Sequence, residues 1–567
     1  MRRILILGQI PDDFDSKKHI PISPTCFVGK EFLFPEFEKL DYLNSYENNT
    51  ELALLDKLTS EEALFLVTQV AKKYNPTEFD NYSYIFWKTI YYPFLGLLIP
   101  MLYRKQLLIK EIIKKYGNEN LEVSIVDSPL NLEFENEFNF IIDALWNITI
   151  SEWVYGRILE IQVPKRWRII QKNNKYSSDI ITINRFTKKA SIKNSLINLF
   201  KKIFYRSIGI YGMNLITSAY FHVLLSLKPK IEIKRDKKQT QNSSKIMWNF
   251  EVEEIIEVMM PNSLKHLDIK LQRAHWPKSG KIINFSNQLY YKINSKIKAA
   301  YNFESKNINI ATQHGGHNYG SGLTYEFGKN IEFLADYFIS WGNYVSNYKL
   351  NKNLLVLPSP LLSGYLNKHI TRNNKTILVG TDMNLFLSRF DSTPNEEGWV
   401  KYRINKLHFL KNLTISNIWY RPYFLKLTSL LDWEYINNNL KKINKLEGKL
   451  GSELQLCKLL VLDHPGTTWN IAMAMNTPII CFWDRNHFPF NKEADLFLDK
   501  FKELGLFFED PKEAAEKVNA IVKGYDDLTV WWNQKEIQSL RKEWMNIYAK
   551  ADKNWFWIWT KTLWNLK

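Results

Sequence analysis

Ten short apolar runs, each ending in a turn residue, constrain this chain more than any other feature. They are RRILILG (2–8), LEVSIVD (121–127), KIINFSN (281–287), INIATQHGG (308–316), YFISWG (337–342), NLLVLPSP (353–360), KTILVGT (375–381), NIWYRPY (417–423), KLLVLDHP (458–465) and PIICFW (478–483). Each has the length of a strand and is bounded by Gly, Pro, Asn or Asp, with helical stretches between, which is the pattern of βα units and parallel sheets. At 567 residues the chain is longer than one core usually organises. The expected fold class is therefore α/β, with two Rossmann-like domains facing a central cleft and helical insertions in the N-terminal half. The pattern is interrupted at NYKLNKN, PSPLLSG and TRNNK between 345 and 375. This sets expected domains of 1–345 and 346–540, followed by a tail at 541–567. That tail is so rich in Trp that it is expected to pack back across the domains.

The most apolar window, 89–103, carries two prolines and lies between Lys88 and Arg104. It is shorter than the roughly 20 residues that span a bilayer, so a buried helix is expected there. Asp12 and Asp13 follow the first apolar run too soon for a secretory signal. The first run reads as a strand, and Cys26, Cys457 and Cys481 read as buried thiols of a cytoplasmic protein. Charge is uneven. The segment 161–245 holds nineteen Lys and Arg against Asp179, Glu232 and Asp236, which is +16 of the chain's net +17. Within it, 192–212 sets Ile192, Leu196, Leu199, Phe200, Ile203 and Ile210 on one helical face, with Lys193, Lys201, Lys202 and Arg206 mostly off it. Two readings stay open, a peripheral helix on an anionic membrane and a solvated helix packed on the protein. No known nucleic-acid motif accompanies the charge, and nucleic acid is not expected as a partner. The polar stretch 234–245 reads as a loop.

Two post-strand turns carry the chemistry. In Asp463-His464-Pro465-Gly466-Thr467-Thr468, Gly466 permits close approach of a ligand, Thr467 and Thr468 open a helix, and His464 is held by Pro465 in a restricted backbone. A phosphate fits such a turn, and so does the plainer reading of a threonine cap beside a satisfied buried histidine. In Gln313-His314-Gly315-Gly316-His317-Asn318-Tyr319-Gly320, a histidine after a strand suits general acid or base work. A glycine turn with a backbone-bonded histidine is the alternative. No ligand set with zinc-like spacing is present, so no metal is expected. Arg421 after WY suits a phosphate or carboxylate, or an interdomain salt bridge; Thr381 and Asp382 sit at the end of the strand run 375–381; Asp484 after CFW suits a ribose or sugar hydroxyl or simply ends a strand. Neither a P-loop nor a GxGxxG fingerprint occurs.

The stretches WKTIYYPFLGLLIPMLYRK, IATQHGGHNYG, LADYFISWG, LDHPGTTWNIAMAMNTPIICFW, EDPKEAAEKVNAI and VWWNQKEIQSLRKEWMNIYAKA resemble, in that order, a family of bacterial transferases from surface-carbohydrate gene clusters, known by a Leptospira-type locus tag. That family resembles two-domain GT-B glycosyltransferases and, more distantly, capsule Kdo transferases and teichoic-acid glycerophosphotransferases. The resemblance implies an acceptor-side domain (1–345) in which Gln313, His314, Gly315 and Gly316 supply the catalytic loop. It also implies a donor-binding domain (346–540) in which Thr381, Arg421, His464, Pro465, Gly466, Thr467, Thr468 and Asp484 hold a nucleotide. His317-Asn318 stand where a third glycine is expected. The implied activity is metal-independent, cofactor-free transfer of a sugar from a nucleotide sugar donor to a surface polysaccharide or lipid-linked glycan acceptor, in the cytoplasm or on the inner face of its membrane. Transfer of a CDP-linked phospho-polyol is the alternative donor chemistry. A nucleic-acid-binding protein and an inactive scaffold are the remaining readings.

Overall fold

The computed structural model describes residues 2–126, 132–172, 210–227, 243–267, 271, 283–285, 289–290, 292–305, 307–342, 354–366, 372–381, 385–391, 396, 398–423, 432–440, 442–448 and 450–566. The basic helix expected at 192–212 lies outside these residues up to 209, as do Asp382 and the loop 234–245 up to 242.

All fourteen described strands pair in parallel, in three sheets. The first has the order β2-β1-β3-β4, with β1 (Arg3–Ile6), β2 (His19–Pro21), β3 (Leu121–Val126) and β4 (Arg168–Lys172). The second has the order β5-β6-β7-β8, with β5 (Ile283–Phe285), β6 (Ile308–Thr312), β7 (Tyr337–Ser340) and β8 (Leu354–Val356). The third contains β9 (Thr376–Val379), β10 (Ile418–Arg421), β11 (Asn444–Lys445), β12 (Leu459–Leu462), β13 (Ile479–Phe482) and β14 (Phe507–Phe508). Its order is β11-β10-β9-β12-β13-β14. The ten apolar runs are all strands. In the described residues the N-terminal half carries two sheets, and because β8 pairs with β7 the chain leaves the second sheet only after Val356.

Central strands explain the run composition. All four residues of β9, β12 and β13 are buried, because helices cover both faces of a parallel sheet. Two long helices, α1 (Asn49–Tyr74) and α2 (Tyr84–Tyr116), pack on each other. Asn48 caps α1 by accepting from the N–H groups of Thr50 and Glu51. Helix α2 also packs against α3 (Ile148–Glu160) and α4 (Ile293–Glu304), which belong to the first and second sheets. It is the one helix among the described residues long and apolar enough to cross a membrane, yet 89% of its most apolar window is buried inside the protein. The apolar window 89–103 is thus core. From α2, Arg104 forms a fully buried ion pair at 2.8 Å with Glu396 of the C-terminal half.

The tail folds as α5 (Lys535–Tyr548) and α6 (Trp555–Trp564). Trp544 Nε1 donates to Asn470 Oδ1 at 3.1 Å, Lys550 N donates to Trp341 O at 2.6 Å and Trp559 Nε1 donates to Pro358 O at 2.8 Å. Trp559 and Leu563 share an apolar cluster with Ile308, Ile310 and Ile339 of the second sheet. One tail therefore touches the six-stranded sheet's helices and the second sheet together. The three cysteines are buried, and burial pushes the Cys26 and Cys457 thiols up to about 12.

Candidate functional site

Counted from β9, the six-stranded sheet runs 3-2-1-4-5-6, so the strand order, though not the strand direction, reverses between β9 and β12. In open α/β sheets ligands bind beyond the carboxyl ends of the strands at this reversal. Gly380-Thr381 follow β9, and Asp463 through Thr468 follow β12. The next helix, α7 (Thr467–Met475), has Gly466 as its N-cap, and no side chain caps its first turn. The threonines therefore do not cap the helix. They are its first two residues, half-buried, beside backbone N–H groups whose positive end favours an anion.

His464 is buried, with Nδ1 2.8 Å from Asp463 Oδ1. Tyr402 donates to the same carboxylate oxygen at 2.8 Å, and Thr381 N donates to the Tyr402 hydroxyl at 3.4 Å. Behind them Lys406 lies 3.4 Å from Asp463 Oδ2 and also pairs with Asp432. Burial disfavours the Asp463 charge, but Lys406 and His464 outweigh it and hold its pKa below the ordinary 3.8. Burial likewise opposes the Lys406 charge, and Asp432 with the neighbouring Tyr and Asp groups raises its pKa well above the usual value. His464 thus sits on an ionic relay that fixes its ring.

The second turn follows β6. Gln313 braces its own loop. Its amide nitrogen donates to Gly315 O at 2.8 Å and its oxygen accepts from Trp341 N at 2.8 Å, so it shapes the loop and ties it to the end of β7. His314 is half-exposed. Its Nδ1 lies 3.1 Å from Glu332 Oε1 and 2.7 Å from the Tyr319 hydroxyl, both partners being buried. The rings of Tyr211, Tyr290 and Tyr319 stand edge-on to it at 6.1, 5.9 and 5.2 Å. Desolvation lowers the His314 pKa and Arg389 opposes its charge, but Glu332 outweighs both and the net direction is upward. A half-exposed imidazole backed by a buried carboxylate can take and release a proton near neutral pH. His317 turns inward instead, buried against the Phe490 ring at 4.4 Å.

The two turns meet. A Cβ on Gly316 would lie 2.8 Å from the carbonyl carbon of Gly466 and 2.9 Å from Thr467 N. Gly466 itself is extended (φ −167°), a conformation open to any residue, and a side chain there would first meet the His464 ring at 3.3 Å. The close approach within the protein is between the two loops, and Gly316 is the glycine that permits it. Beside it, Leu323 N donates to Pro489 O at 3.1 Å and Asn491 N donates to Ser321 O at 2.9 Å, stitching the halves together. A small hollow lies next to this contact, lined by Gln313, Gly316, Pro465, Gly466, Trp469 and Tyr548 among others. Neither His314 nor His464 is on its wall. Gly316→Ala is expected to push the loops apart at a cost of about 1–3 kcal/mol, read as a lower melting temperature together with weaker ligand binding. Unchanged values of both would mean that the contact is slack.

Arg421 and Asp484 are not brought to this contact by any hydrogen bond. The Arg421 guanidinium donates to Leu446 O at 3.2 Å and Gly448 O at 2.9 Å, bracing the chain after β11. Asp484 pairs with Lys401 and accepts from Asn486 N at 2.8 Å. Glu332, Tyr211, Tyr402, Lys406 and Arg389 were not singled out from sequence. Only Glu332 left a signal there, a carboxylate inside the apolar NIEFLADYFI.

No curated protein matches this sequence. Similar solved structures include TarM, at 11% identity over 51% of this chain with a TM-score of 0.31. A glycosyltransferase from Rickettsia africae ESF-5 is similar at 12% identity over 53% of this chain and 80% of its own, TM-score 0.30. MurG of Acinetobacter baumannii is similar at 9% over 52% of this chain and 75% of its own, TM-score 0.28. The chain spans little more than half of TarM, 56% of its length. The family model of the LIC12162 family transferases matches residues 3–563, nearly the whole length, and this chain belongs to that family of transferases.

Proposed function

We propose that the protein is a glycosyltransferase of GT-B-like architecture, taking a sugar from a nucleotide-activated donor to a surface polysaccharide or its lipid-linked precursor. The observation that carries this reading is the contact of Gly316 with Gly466 and Thr467, which brings the loop that holds the carboxylate-backed His314 against the turn at the sheet reversal. In this reading the donor phosphates lie at the N-terminus of α7, where backbone N–H groups stabilise the leaving nucleotide. His314 takes the proton of the acceptor hydroxyl as that oxygen attacks the anomeric carbon and the bond to the phosphate oxygen breaks. Glu332 holds the ring and stabilises the imidazolium that forms.

A thermal-shift panel of CMP, CDP, UDP, GDP and dTDP tests the donor side. A nucleotide at 100 times its dissociation constant stabilises by about 2.7 kcal/mol. No response to any of the five would remove the reading. With the best nucleotide, His464→Ala is expected to weaken binding by about 1–3 kcal/mol in calorimetry, because the turn loses the ring packed beside Gly466 and a hydrogen-bonding group near the phosphates. Equal affinity would make His464 purely structural.

A further inference from the structure

Helix α8 (Leu215–Ser226) has no polar side turned to solvent where one is expected. Its exposed positions Ile216, Tyr220 and Val223, with Leu227 just beyond its end, recur at steps of four, three and four residues and form one apolar stripe. Ile216 is 83% and Leu227 70% exposed, while Phe221, His222 and Leu225 fill the opposite, buried side. The stripe continues onto the tail. Tyr220 packs on Phe556 at 5.0 Å and Phe556 adjoins Trp557 at 5.3 Å. Trp557 is 67% and Trp564 48% exposed, on one face of α6 with Lys561.

We infer that this stripe, with Trp557 and Trp564, docks the protein on an anionic membrane surface. Twelve residues make a helix of about 18 Å, too short to span a hydrocarbon core of about 30 Å but suited to lying in its interface. The sequence that enters and leaves the helix is basic, with Lys201, Lys202 and Arg206 before it and Lys228, Lys230, Lys234 and Arg235 after it. It belongs to the segment that holds +16 of the chain's +17. Apolar side chains flanked by cations fit acyl chains beneath anionic headgroups. A second copy of this chain would bring two such cationic segments together.

The stripe also leads to the candidate site. Tyr211, whose ring stands against His314 and stacks on Trp341 at 6.1 Å, precedes Ile216 by five residues, a reach of at most about 18 Å. A membrane at this face presents a lipid-linked acceptor near His314. That consequence rests on the proposed transfer, whereas the docking itself does not.

The test is co-sedimentation of the full chain with vesicles of phosphatidylcholine and phosphatidylglycerol, against pure phosphatidylcholine. The triple variant Ile216→Ser, Val223→Ser, Leu227→Ser and the double variant Trp557→Ser, Trp564→Ser are each expected to lower the partition onto anionic vesicles at least about ten-fold. Undiminished partition of both variants, or no preference of the parent chain for anionic vesicles, overturns the inference. So does a parent dimer in sedimentation equilibrium that the variants convert to monomer without lipid, since a second copy would then cover the face. Nucleotide thermal shifts on the same variants separate the two proposals. Vesicle binding by a chain that answers to no nucleotide keeps the docking face and removes the transfer reading, and the reverse result does the opposite.

Discussion

His314→Ala is expected to lower transfer by about 10²–10⁴-fold while leaving nucleotide affinity unchanged. The size follows from removing a positioned proton acceptor, and the selectivity follows from position, since His314 lies after β6 whereas the turn proposed to hold the nucleotide follows β12. The pH profile gives a second readout. As a base, His314 works in its neutral form, and Glu332 raises its pKa against the opposing pulls of desolvation and Arg389. The acidic limb of kcat/KM should therefore lie above the ordinary histidine value of 6.5. Glu332→Gln removes the carboxylate and should move that limb to lower pH while also lowering the rate. The tyrosines facing the ring stay neutral through this range, because burial raises the pKa of Tyr211, Tyr290 and Tyr319. A limb that does not move in Glu332→Gln would assign it to another group. A rate retained in His314→Ala would place the base elsewhere.

Lys406→Met is expected to cost about 3–5 kcal/mol of folding stability, seen as a lower urea midpoint. Lys406 is 1% exposed and stands between Asp432 and Asp463, each of which is also buried. Without the ammonium, Asp432 keeps Arg403 at 3.4 Å and, among the described residues, Asp463 keeps only His464 as an ionic partner, and the charge that both carboxylates share is lost. The damage is local to the sheet reversal, so nucleotide binding should fall with it. Asp463 adds a pH dependence. Its folded pKa is depressed below 3.8, so its contribution is fully present above about pH 4 and is lost as the pH falls through the lower folded value. Asp463→Asn should flatten that acid limb. A Lys406→Met midpoint equal to that of the parent would mean that the cluster is not charged in the folded protein.

The ten runs were legible because central parallel strands are buried on both faces and must be apolar throughout. The four strands that were not legible, β2, β4, β11 and β14, are all sheet edges. HIP, RIIQK, NK and FF are short or polar, and a neighbour's free edge rather than their own composition makes them strands. Helix α2 was read as core from its length and prolines, a property its composition carries.

At the candidate site, local sequence placed His314, Gly316, His464 and Gly466 after strands, because a turn that follows a strand is a local event. It did not place Arg421 or Asp484, whose charges are taken up by Leu446, Gly448 and Lys401 through contacts no local pattern encodes. Sequence alone therefore determined the parallel α/β class, the buried helix and the two glycine turns, since periodicity and turn chemistry act over a few residues. Tertiary structure decided that Gly316 meets Gly466, that Glu332 backs His314 and that Lys406 backs Asp463. Each of these pairs joins side chains or backbones from different strands and helices, and only packing brings them within a few ångströms.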